Sequence, residues 1–97
     1  MFIILKFSTE YYLTSDYCTA TLSHVNLVVT NNAMAWADYK IQYRAPNKPW
    51  TDYSSSNKDG SVYGKNSDTF NINAIKGYDY RVKIISGRYT NGVVTCW

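Results

Sequence analysis

Few residues in this chain could make or break a covalent bond. There is one histidine, His24, and it stands inside an apolar run from Thr19 to Thr30. The acids are Glu10, Asp16, Asp38, Asp52, Asp59, Asp68 and Asp79, spread over turns and polar positions. Catalysis needs a nucleophile beside a base, two placed carboxylates or a metal centre, and no spacing here supplies one. No zinc cluster, EF-hand loop or glycine-rich phosphate cradle can be read, and no pattern supports calcium at Asp52 and Asp59. The expectation is a protein that is not an enzyme and that holds no metal and no cofactor.

What the chain does have is aromatic surface. Aromatics make up 16% of the 97 residues, and ten of them are tyrosine. Trp36, Trp50, Tyr53, Tyr63 and Tyr89 fall near turns rather than inside clean alternation. A flat indole or phenol ring stacks on the C–H face of a sugar, and nearby amides and charges bond its hydroxyls. Trp50, between Pro49 and a polar loop, is a candidate for an exposed binding role, with Tyr53 and Tyr89 among the loop aromatics that could join it. Trp36 reads as the tryptophan a sandwich packs in its core, with a place in the ligand-binding set as its alternative.

These residues must be positioned by strands. Thr, Val, Ile, Tyr, Asn and Ser dominate, while helix formers are scarce. Tyr39, Ile41 and Tyr43 alternate with Lys40, Gln42 and Arg44, which predicts a half-buried strand. Tyr78, Tyr80, Val82 and Ile84 repeat the pattern against Asp79, Arg81 and Lys83. The parity of apolar residues switches around Ser23-His24, so a break or bulge is expected there. Asn31-Asn32 and Lys76-Gly77 mark turns, and Pro46 and Pro49 are expected to hold an extended loop after Arg44. Asn91-Gly92 predicts a tight type I′ hairpin leading into Val93–Cys96. Phe2–Phe7 reads as a first strand, and Ser61-Val62-Tyr63 as a short one inside a polar stretch. The sum is a single all-β domain over residues 1–97, an antiparallel β-sandwich of about seven strands.

Cys18 and Cys96 fit no CxxC motif. A bridge between the first and last parts of a sandwich is geometrically open, as are two free buried thiols. A bridge would favour an oxidising, extracellular location, although no signal peptide is recognised. The net charge of +3 is spread without a basic run, which speaks against a nucleic-acid partner. No stretch approaches the roughly 20 apolar residues of a membrane span.

Two resemblances follow. The segment Ile75-Lys76-Gly77-Tyr78-Asp79-Tyr80-Arg81-Val82, with Tyr39-x-Ile41-x-Tyr43, resembles fibronectin type III domains, in which Tyr80 would be the corner tyrosine. From about Leu22 to Asn91 the order Asn32, Tyr39, Ile41, Tyr43, Trp50, Phe70, Tyr80, Val82, Lys83, Ile84 resembles family 21 starch-binding modules. That resemblance implies an immunoglobulin-like sandwich binding α-glucan, with Trp50 stacking on glucose, Tyr89 or Asn91 assisting, and Trp36 beside a second site. Tyr78-x-Tyr80-Arg81-Val82 and Ser86-Gly87-Arg88 are also similar to fragments of fungal immunomodulatory proteins. The expected partner is a polysaccharide or glycan; the alternatives are a protein partner, as for an adhesion module, or the role of a small secreted effector.

Overall fold

The structure, a computed structural model, describes residues 13–53, 60–86 and 89–96. The expected strand Phe2–Phe7 and the residues Glu10, Tyr11, Asp59, Gly87, Arg88 and Trp97 lie outside them. The described residues contain no helix, so none is long and apolar enough to cross a membrane.

Among the described residues nine strand segments form two antiparallel sheets. They are β1 (Leu13–Thr14), β2 (Cys18–Thr19), β3 (His24–Asn31), β4 (Ala37–Arg44), β5 (Thr51–Asp52), β6 (Gly60–Val62), β7 (Asn66–Asn73), β8 (Asp79–Ser86) and β9 (Thr90–Thr95). One sheet has four ranks: β1 and β2 share an edge beside β8, β4 follows, and β5 and β6 share the other edge. The other sheet has three, in the order β7-β3-β9.

Alternation explains the layers. Val25, Leu27 and Val29 of β3 are buried, as are Tyr39 and Ile41 of β4 and Tyr80, Val82 and Ile84 of β8. Their neighbours along each strand point outward, because side chains alternate faces. The parity switch near Ser23 is the place where the chain leaves the four-rank sheet after β2 and enters the other as β3. Turns follow local chemistry. Tyr78 N–H closes on Ile75 C=O at 3.0 Å, with Gly77 at φ 89°, and Lys48 N–H closes on Ala45 C=O at 3.1 Å, with Asn47 at φ 63°. The segment after Arg44 is thus a tight turn where an extended loop was expected. Proline suits the second position of such turns, and glycine or asparagine the third.

The hairpin expected at Asn91-Gly92 does not form. Both residues lie inside β9, opposite Thr30 and Val29 of β3. The chain crosses between sheets after Ser86, so β8 and β9 belong to different layers. Gly92 is needed for a different reason. A Cβ there would stand 2.7 Å from Val82 Cβ in the facing sheet. Val82 is fully buried and its branch point cannot swing away. Gly92→Ala is therefore expected to destabilise by about 1–3 kcal/mol through overpacking. A shift in the urea midpoint at constant slope measures it, and an unchanged midpoint would show that the sheets separate freely.

A disulfide joins Cys18 of β2 to Cys96, just beyond β9, with Cα atoms 5.9 Å apart. It ties one sheet to the other.

Candidate functional site

Among the described residues an open aromatic surface lies where β3 passes to β4. Asn31 closes β3 and is 0% exposed. Its Oδ1 accepts Ala33 N–H at 2.9 Å, while its Nδ2 donates to Ala35 C=O at 2.6 Å and Val62 C=O at 3.1 Å. One buried amide thus binds the loop before β4 to the end of β6. An asparagine bonding its own backbone two residues on is a turn former. Gly64 adds a second clamp, because a Cβ there would meet the carbonyl carbon and oxygen of Met34 at 2.5 Å. Asn66 Nδ2 donates to Gly64 C=O at 3.1 Å.

Trp36 and Tyr63 stand on these clamped segments. Ala37 pairs with Val62, so the residues just outside that pair are cross-strand neighbours. Their ring centroids are 4.8 Å apart and the planes are inclined by 58°. Trp36 is 59% exposed, Tyr63 55% and nearby Met34 77%. The reading of Trp36 as core is corrected: it precedes the first inward position of β4, Ala37, and its ring turns outward against Tyr63. Tyr89 and Asn91 are exposed toward the same end, where Asn32 N–H donates to Tyr89 C=O at 3.0 Å.

Trp50 lies at the other end, opposite Arg44 and about 26 Å away along the strands. It sits on the outer face of the four-rank sheet, half-buried, two residues before Asp52. Arg81 Cζ is 4.1 Å and Arg44 Cζ 4.4 Å from its ring centroid, and Tyr17 meets it edge-on at 5.9 Å. Each guanidinium contact is a cation–π attraction. Arg44 Nε also holds Asp79 Oδ2 at 2.8 Å. Partial burial opposes the charge of Asp79, but hydrogen bonds from Thr19 and Arg44, with Arg44's charge, outweigh it and hold the pKa below the ordinary carboxylate value. The hydrogen bond from Gln42 does most to lower Asp52 likewise, with Lys40 adding to it.

Tyr53 belongs to a third place. It packs edge-on against Tyr43 at 5.8 Å and near Tyr80 at 6.4 Å, and its hydroxyl donates to Asn73 C=O at 3.1 Å. With Asn73, Ala74 and Ile75 these tyrosines line a cleft of about 250 Å³. The Tyr80 hydroxyl accepts Ile75 N–H at 2.9 Å, and burial pushes its phenol pKa up.

Trp50 and its expected companions are therefore divided: Tyr89 and Asn91 lie toward one end, where Trp36 also stands, Trp50 on an outer face and Tyr53 in a cleft. Tyr63 had the signal of a loop aromatic without a partner; the part of Asn31 depended on where β6 would run. Among the described residues no three His, Cys, Asp or Glu side chains gather closely enough to hold a metal ion. No family model, curated protein or solved structure matches this chain.

Proposed function

We propose that this protein is a non-catalytic carbohydrate-binding module of the immunoglobulin-like sandwich type, secreted, with an α-glucan as ligand. The observation that carries the reading is the Trp36–Tyr63 pair, two rings each more than half open to water on segments clamped by Asn31 and Gly64. A rigid aromatic surface loses little conformational freedom when a ligand arrives. Its planes meet at 58°, which suits a polymer whose successive sugar rings turn, as α-linked glucose does. The Tyr80 contact to the backbone five residues upstream supports an immunoglobulin-like corner. The last strand departs from that plan, pairing with β3 where the immunoglobulin order puts it beside β8. The disulfide supports an oxidising compartment.

Titration of tryptophan fluorescence with soluble amylose tests the reading. Trp36→Ala is expected to weaken binding by about 2 kcal/mol, roughly thirtyfold, as loss of an aromatic anchor does. Trp50→Ala is expected to leave affinity within about threefold, since that ring is engaged by arginines. Equal binding by native protein and Trp36→Ala would remove the platform. One observation favours a second reading, a protein-interaction module: Met34 beside the pair is 77% exposed, and methionine is enriched at protein interfaces. Absence of amylose binding by the native protein would move the choice there.

A further inference from the structure

The outer face of the four-rank sheet carries a constellation that the Trp36 platform does not use. β4 and β8 place Lys40, Gln42, Arg44, Asp79, Arg81 and Lys83 on it. Arg44 Nε lies 2.8 Å from Asp79 Oδ2, and Lys40 Nζ lies 3.6 Å from Asp52 Oδ2. Arg81 has no carboxylate partner among the described residues.

Its guanidinium is nevertheless held in place. Arg81 Nε donates to Gln42 Oε1 at 2.9 Å, and Gln42 Nε2 donates to Asp52 Oδ1 at 3.1 Å. The bond to Asp52 fixes which way the amide faces, so Gln42 must present its oxygen to Arg81. The indole of Trp50 lies against the cation at 4.1 Å. Gln42 takes only the Nε–H of a group with five N–H donors, which leaves the two terminal nitrogens to meet a ligand. Burial first, and then the charge of Arg44, make the Arg81 charge costly and lower its pKa; the attraction of an arriving anion would offset that cost. Cys18 pairs with Tyr80, so Tyr17 is the cross-strand neighbour of Arg81 just outside that pair; it is 51% exposed, with Arg44 Cζ 4.8 Å from its ring.

We infer that this face is a second binding site, taking a carboxylate-bearing sugar: Arg81 receives the carboxylate through two parallel N–H bonds, and Tyr17 lies against the C–H face of the uronate ring. A planar carboxylate matches the guanidinium fork in a way a neutral hydroxyl does not. The inference rests on the reading of the chain as a carbohydrate-binding module, and it adds acidic glycans to its ligands.

Calorimetric titration with galacturonate oligomers, soluble amylose and polyglutamate, on native protein, Arg81→Gln and Arg81→Lys, tests it. Native protein is expected to bind the oligogalacturonate with an affinity that falls as salt rises. Arg81→Gln is expected to weaken that binding at least tenfold and to leave amylose binding unchanged. Arg81→Lys keeps a point charge without the fork, so partial recovery is expected, and melting curves of both variants establish that they remain folded. Undiminished uronate binding by Arg81→Gln would overturn the site. Tighter Arg81-dependent binding of polyglutamate would replace the sugar with an acidic peptide. Trp36-dependent amylose binding with no uronate binding would remove this site and leave the glucan platform standing; binding of neither sugar removes both.

Discussion

Loss of the Cys18–Cys96 bridge is expected to lower stability by about 4–5 kcal/mol, because the closed loop spans 78 residues and the unfolded chain regains its freedom. Domains of this size have about 5–15 kcal/mol in total, so the change removes a large share. The location strengthens the expectation. Cys18 is on the edge of the four-rank sheet and Cys96 follows the edge strand of the three-rank sheet. Around the bridge, Thr21 Oγ1 donates to Cys96 C=O at 2.7 Å, and Ala20 N–H donates to Tyr78 C=O at 2.8 Å. A Cys18→Ala/Cys96→Ala double variant should melt about 20–30 °C lower, given about 4–8 °C per kcal/mol for a small domain. Intact mass with and without reductant, showing the gain of two hydrogens, reports the bond itself. Equal melting of variant and native protein would mean that packing alone holds the layers together.

Asn31→Ala is expected to cost about 3 kcal/mol and to weaken amylose binding without touching the ligand. Three hydrogen bonds end on this side chain. Its removal strands the Ala33 N–H and the carbonyls of Ala35 and Val62, and a buried group left unpaired costs about 1–3 kcal/mol. The functional effect follows from the same geometry. The amide sets the loop before β4 against the end of β6, and these two segments carry Trp36 and Tyr63. With the clamp gone the rings must be ordered by the ligand, and that ordering is subtracted from affinity. Asn31→Asp keeps the acceptor for Ala33 but sets a carboxylate oxygen against two carbonyls. It should be the more destabilised variant at neutral pH and recover as acid protonates the new group. Chemical denaturation and amylose titration of the variants check both effects. Native affinity in a destabilised Asn31→Ala would separate the clamp from the site.

The strands that form the core were legible in the chain. Tyr39-x-Ile41-x-Tyr43 and Tyr80-x-Val82-x-Ile84 could be assigned an inward face because a strand's period of two needs only neighbouring residues to be seen. The break near Ser23 was legible on the same ground, and Lys76-Gly77 because a turn's dihedral demand is local. Asn91-Gly92 shows the limit of local reasoning. The pair suits a tight hairpin, yet Gly92 serves a close approach to Val82 from the other sheet, and no local periodicity encodes that distance.

The candidate site was legible as an inventory of aromatics and not as a place. Pairing of β4 with β6 sets Trp36 beside Tyr63, and pairing of β4 with β8 brings Arg44 and Arg81 to Trp50. Residues 44, 50 and 81 share no local pattern. Composition and alternation by themselves determined that this chain builds sheets with an apolar side, since those follow from the backbone's own periodicity. Which rings face water, which are clasped by cations and which line a cleft was decided only by tertiary structure, because exposure depends on strand register and on the distance between two layers.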